Sequence, residues 1–199
     1  MKKLLLTASV IGFIAASAEA ATYPTFVFDG SSSSITVTPD NSLCFGCSLS
    51  ASFSSGVDGA SWTPTSGTDS WTISNFIDWT ASGAAFGVAT YDVSVTLAFS
   101  SPDAASTSGS GEAGFATLFG IVSGGALSWN SISDIIFAQG SILSVSLEDG
   151  LQIGTGTTAT TGVTFVGNPI SPIPLPASGL LLLAGISGFG LMRKRKKAA

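Results

Sequence analysis

Residues 91–100 read YDVSVTLAFS, a segment in which apolar and polar side chains alternate. A period of two residues places successive side chains on opposite faces of a β-strand. The side chains that this pattern turns towards a core are Val93, Val95, Leu97 and Phe99, and those turned towards water are Asp92, Ser94 and Thr96. The segment therefore predicts a strand with one buried face.

Shorter alternating runs occur on both sides of this strand, and from Tyr23 onward no window keeps a helical period. These runs are centred on Ile35 and Val37, Leu49 to Phe53, Leu143 to Leu147, and Val163 and Phe165, with Phe115, Phe119 and Ile121 taken as one further run. Turn-rich breaks are predicted at 63–69, 101–111 and 154–161. Many short strands between turns predict an all-β fold, a β-sandwich or jelly roll.

The charged residues are distributed in an unusual way. All seven basic residues lie at the ends of the chain, and there is no His. Asp and Glu number 12, and one of them, Glu19, precedes Ala21, so residues 21–192 carry eleven negative charges and no cationic side chain. Nucleic acid is excluded as a partner because phosphate binding depends on Lys and Arg. Catalytic pairs that need His or Lys cannot form, and we expect a non-enzymatic protein without cofactor or metal.

The N-terminus has the three parts of a secretory signal peptide. Lys2 and Lys3 precede a short apolar stretch, 4–16, which is followed by the small-x-small site Ala18-Glu19-Ala20. We expect residues 1–20 to be removed, leaving an exported domain at 21–167. Cleavage after Ala18 and an uncleaved anchor are the alternatives.

The C-terminus carries a linker, an apolar segment and a basic cluster. Residues 168–176 contain four prolines, which favour an extended linker. Residues 177–199 are predicted to form a transmembrane helix with a basic cytoplasmic tail, because 177–192 are uncharged. The stop-transfer residues are Arg193, Lys194, Arg195, Lys196 and Lys197. The β domain is then expected on the opposite side of the membrane.

The order of these parts resembles the PEP-CTERM sorting signal of Gram-negative bacteria. Residues 173–179 read IPLPASG, similar to the VPLPA-type variant of that family with Ile in place of the first Val. The recognition motif carried over from the family is Pro174, Leu175, Pro176 and Ala177. The resemblance implies an exosortase, a membrane transpeptidase, as partner, and an association with exopolysaccharide and biofilm. An ordinary C-terminal membrane anchor is the alternative.

The same resemblance predicts where the protein is found. Before processing, it would sit in the inner membrane through its C-terminal helix, with the β domain in the periplasm. After processing, the domain would be at the cell surface or extracellular. We therefore expect a secreted structural or adhesive protein.

Three weaker signals lie within the β domain. Cys44 and Cys47 form a CxxC, for which a local disulfide is favoured over a redox motif because no helix is predicted to follow. The four tryptophans, Trp62, Trp71, Trp79 and Trp129, favour core packing, and the alternative is a carbohydrate-binding face. Residues 148–150, Glu-Asp-Gly, are a candidate cation site or a solvated turn. A carboxylate-based glycoside hydrolase is the third functional hypothesis.

Overall fold

The chain forms eleven β-strands in the residues that this computed structural model describes, 23–44, 46–83, 86–118, 121–130, 132–150 and 158–168, and these residues contain no helix. The strands are β1 (Phe26–Phe28), β2 (Ser34–Ser42), β3 (Ser48–Phe53), β4 (Ser61–Trp62), β5 (Ser70–Ser82), β6 (Phe86–Ser101), β7 (Ala105–Leu118), β8 (Ile121–Trp129), β9 (Ile135–Ile136), β10 (Ile142–Leu147) and β11 (Thr158–Asn168). All belong to one compact unit, Thr22–Ser171. The predicted all-β class is confirmed.

The first sheet is antiparallel and six-stranded, in the order β4-β1-β6-β7-β8, with β2 also paired to β6. Strands β1 and β2 follow the same edge of β6, because Phe28 pairs with Phe99 and Ser34 pairs with Thr96. The two strands follow one another along β6 with a turn between them, and β1 is also paired with β4 on its other side. In that turn the Asp29 carboxylate accepts a hydrogen bond from the Ser31 hydroxyl at 2.6 Å.

The second sheet is antiparallel and five-stranded, in the order β3-β5-β11-β10-β9. Its central pair, β5 and β11, has a bulge where Ile73 to Ile77 lie opposite Val163 and Thr161. A bulge changes which side chains point to a given face. Phe76 and Ile77 are consecutive here and are both fully buried.

Aromatic rings from the two sheets contact each other, which gives a β-sandwich-like arrangement. Phe28 of the first sheet lies 5.1 Å from Phe76 of the second, and Phe99 lies 5.5 Å from Phe165, measured between ring centroids. Both pairs are edge-to-face, a favourable geometry for aromatic rings. The predicted core positions of the YDVSVTLAFS strand are all buried in β6.

The predicted turn at 101–111 is wrong over most of its length. Only residues 102–104 separate β6 from β7, and β7 begins at Ala105. The glycines of that segment, Gly109 and Gly111, lie within β7 and are not turn residues. A Cβ atom at Gly109 would collide with the Ile132 side chain, and one at Gly111 would lie 2.5 Å from the Ser128 carbonyl oxygen. Gly is therefore used at these positions to admit close neighbours to a strand.

Two smaller predictions also need correction. Ile121 does not continue the run of Phe115, because it begins β8 and its side chain is 52% exposed. Strand β11 begins at Thr158, inside the turn predicted for 154–161. The predicted break at 63–69 lies between β4 and β5 and is confirmed.

The two predicted targeting segments are outside the described residues. These are the signal peptide at 1–20, and residues 169–199 with the rest of the linker, the sorting motif and the predicted transmembrane helix. Strand β11 ends at Asn168, the first residue of that predicted linker. The described part of the chain contains no helix long and apolar enough to cross a bilayer.

Two carboxylates lie directly opposite each other in the first sheet. Asp92 of β6 is the register partner of Glu112 of β7, and both side chains are exposed. Like charges directly opposite across an antiparallel pair are destabilising, whereas opposite charges contribute about 0.2–1 kcal/mol.

We therefore expect Glu112→Gln to raise the free energy of unfolding slightly and Glu112→Lys to raise it by about 1 kcal/mol. Urea denaturation of the full chain measures the change. Asp134→Lys is the matched control. It gives the same change in net charge at an exposed residue that lies outside the strands and so has no carboxylate as a cross-strand partner. Equal gains for both Lys variants would show that net charge matters and that the local pair does not.

Candidate functional site

One groove lies on the second sheet, where β5 and β11 run beside the segment that follows β10. Its volume is about 850 Å³, and its lining residues are Asp78, Trp79, Thr80, Glu148, Asp149, Gly150, Thr158, Ala159 and Thr160. A smaller cavity of about 330 Å³ lies beside it and shares Asp149 in its wall. The exposed wall of the groove thus combines carboxylates with hydroxyl groups.

The wall is positioned by strand pairing between distant parts of the sequence. Asp78 and Thr80 of β5 are the register partners of Thr160 and Thr158 of β11. Because side chains alternate along a strand, all four polar side chains point outward together. The Thr160 hydroxyl donates to the Asn75 side-chain oxygen at 3.2 Å.

Residues 148–150 form a corner that connects the two sheets. The Glu148 carboxylate accepts the Gly162 amide of β11 at 3.1 Å, and the Asp149 carboxylate accepts the Trp129 amide of β8 at 2.8 Å. The Trp129 indole donates to the Glu148 carbonyl at 3.1 Å. The Gly150 amide donates to the Leu127 carbonyl at 2.8 Å. The corner therefore links strand β8 of the first sheet to the second sheet.

These hydrogen bonds give both carboxylates of the corner a structural role. Each accepts a backbone amide that would otherwise lack a partner at the end or bulge of a strand. The described residues bring no group of three or more His, Cys, Asp or Glu side chains together in a metal-binding arrangement. Of the two hypotheses for 148–150, the turn explains its contacts better than the cation site does.

The tryptophans are largely used for packing. Trp79 is buried, its indole donates to the Thr161 hydroxyl at 2.8 Å, and its ring centroid lies 6.4 Å from that of Trp129. Trp62 is stacked with two other rings, Phe26 at 6.1 Å and Trp71 at 6.2 Å. Trp79 is thus a core residue, whereas Trp62, Trp71 and Trp129 are partly buried against the core.

The two cysteines are joined by a disulfide in the connection between β2 and β3, with their Cα atoms 5.6 Å apart. Cys44 is buried against the first sheet, where its sulfur lies 3.7 Å from the Thr117 hydroxyl oxygen. A Cβ atom at Gly87 would lie 2.5 Å from the Cys44 Cβ, so glycine is needed beneath the disulfide. This packing favours a structural role for the pair.

The other predicted site residues fall on the undescribed C-terminal segment. These are the sorting motif, Pro174, Leu175, Pro176 and Ala177, and the basic cluster, Arg193, Lys194, Arg195, Lys196 and Lys197. The groove, in contrast, was found from the sequence only in part. Residues 148–150 of its wall were singled out as a candidate cation site, but Asp78, Thr80 and their partners on β11 were not.

Comparison with known proteins finds no match to this chain among protein-family models, curated proteins or solved structures.

The corner generates a stability prediction. Asp149→Ala removes the acceptor of the Trp129 amide, and we expect it to lower the free energy of unfolding by about 1–2 kcal/mol. Asp149→Asn keeps a side-chain oxygen and should recover most of that loss. Urea denaturation followed by tryptophan fluorescence measures both variants. If Asn and Ala were equally destabilising, the carboxylate oxygen would not be the group that holds Trp129.

Proposed function

We propose that this chain is an exported bacterial surface protein with a structural or adhesive role in the extracellular matrix. The observation that carries the proposal is the separation of charge along the chain. Seven basic residues lie only at the two ends, and none lies in residues 21–192. A basic cluster before one apolar segment and another after the second is the pattern of export followed by membrane arrest.

The proposed mechanism is delivery and display. The N-terminal signal directs the chain across the inner membrane, and the C-terminal apolar segment holds it there with its basic residues in the cytoplasm. An exosortase-type transpeptidase then recognises the motif around Pro174 and Pro176 and releases the β domain towards the surface. The acidic, hydroxyl-rich exterior of the domain suits this fate, since net charge away from zero keeps a protein soluble.

A sorting experiment tests this proposal. A tagged full-length chain is followed in cells with and without the transpeptidase, and we expect it at the surface without its tail only when the enzyme is present. Pro174→Ala with Pro176→Ala should leave full-length protein in the membrane. Pro169→Ala with Pro172→Ala changes two linker prolines outside the motif and is the matched control.

Two results would contradict sorting. The first is retention of the full-length, unsubstituted chain in cells that contain the transpeptidase. The second is equal processing of the motif variant and the control variant.

The second candidate function is carbohydrate binding, with exopolysaccharide as the ligand. The observation that favours it is the groove on the second sheet, where Asp78 lies beside the hydroxyls of Thr80, Thr158 and Thr160. Carboxylate and hydroxyl groups are suitable partners for sugar hydroxyls, and ligand grooves use a few such polar groups for specificity. We propose no catalytic role, because Glu148 and Asp149 are engaged with backbone amides.

Binding to a glycan array separates this candidate from a purely structural role. We expect Asp78→Ala to reduce any glycan signal by at least tenfold, since it removes the carboxylate that is not used by the corner. Asp134→Ala removes an exposed carboxylate outside the groove and should leave the signal unchanged. Absence of binding by the unsubstituted chain, or equal loss in both variants, would argue against the groove.

A further inference from the structure

The groove on the second sheet is lined by three carboxylates, those of Asp78, Glu148 and Asp149, and all three side chains are exposed. No cationic side chain lies among them, because residues 21–192 contain no Lys, Arg or His. A cleft lined by charges of one sign concentrates ions of the opposite sign. The groove therefore attracts cationic ligands and repels anionic ones.

The three carboxylates have different tasks. Glu148 uses one oxygen to accept the Gly162 amide, and Asp149 uses one to accept the Trp129 amide, so both are held in place and keep their charge. The Asp78 carboxylate accepts no hydrogen bond from the residues that the structure describes. Asp78 is therefore the carboxylate that a ligand can bind directly.

Hydroxyl groups surround Asp78 on the outer face of the sheet. Its register partners on the two neighbouring strands are Ser52 of β3 and Thr160 of β11, and the next outward pair is Thr80 with Thr158. All four hydroxyl side chains are exposed. A hydroxyl both donates and accepts hydrogen bonds, whereas an ammonium group only donates them. These side chains therefore suit a ligand that carries hydroxyls as well as positive charge.

The smaller cavity extends the site beyond Asp149. It shares Asp149 with the groove, and Trp129 and Asn130 also line it. The volumes of the two cavities, about 850 and about 330 Å³, each fall within the range of about 300–1,000 Å³ that is typical of ligand pockets. Two adjoining cavities of this size suit a chain of sugar rings better than a single sugar.

We propose that the groove binds a polysaccharide that carries free amino groups, with Asp78 accepting an ammonium group and the threonine hydroxyls binding those of the sugar. Anionic polysaccharides are disfavoured, because like charges repel and no Lys, Arg or His could pair with them. A metal ion is also disfavoured, because the described residues bring together no group of three or more suitable side chains. The inference rests on carbohydrate binding, the second candidate function, and names the class of its ligand.

Two matched oligosaccharides test this proposal. They are the hexamers of glucosamine and of N-acetylglucosamine, which differ only in that a neutral acetamide replaces each amino group. At about pH 5.5, below the pKa of ordinary amines and above that of ordinary Asp and Glu, both the sugar amines and the carboxylates are charged. Isothermal titration calorimetry on the full-length chain in a non-ionic detergent measures both affinities. We expect the glucosamine hexamer to bind at least tenfold more tightly.

A matched pair of variants tests the place of the ammonium group. Asp78→Asn removes one charge and keeps the shape of the side chain, and we expect it to lower the affinity for the glucosamine hexamer at least fivefold. Asp134→Asn makes the same change in net charge at an exposed residue outside the groove and should leave that affinity unchanged. Equal losses in the two variants would overturn the proposal.

The other outcomes separate this proposal from its alternatives. Equal affinity for the two hexamers would overturn it alone and leave the groove as a site for neutral sugars. A lysine hexapeptide that binds as tightly as the glucosamine hexamer would also overturn it, because the groove would then recognise charge without sugar. Binding of neither hexamer overturns it as well, and the carbohydrate candidate fails with it only if the glycan array is also negative.

Discussion

The constraint on which this structure depends is that eleven carboxylates share residues 21–192 with no cationic side chain. No carboxylate there can be paired with a Lys, Arg or His of that stretch, so those with partners accept hydrogen bonds from hydroxyls and backbone amides instead. Asp58 accepts the Gly30 amide at 2.7 Å, and Asp103 accepts the Ala138 amide at 2.8 Å. The Asp149 and Glu148 contacts of the corner follow the same rule. Carboxylates in this domain therefore hold loops and strand ends in place.

Two turn carboxylates show the electrostatic result of this arrangement. The Ser31 hydroxyl, followed by Ser32, lowers the pKa of Asp29, and the Thr65 amide lowers the pKa of Asp69. A pKa that is lower in the folded state means that the bonds favour the ionised form. Their contribution to stability is therefore present above the ordinary pKa of 3.8 and is lost as the pH falls through the folded value. Burial has the opposite effect on Tyr91, whose pKa is raised.

The sequence was informative where side chains alternate and much less so where glycine replaces them. The β6 strand and its buried positions were predictable because Val93 to Phe99 keep a period of two. The β7 strand was not predictable, because glycine and serine at 106–111 are typical of turns. The role of Gly109 and Gly111 is evident only from the structure, in which Ile132 and Ser128 pack against them. The groove depends on pairings between distant strands, such as Thr160 with Asp78, which local patterns do not encode.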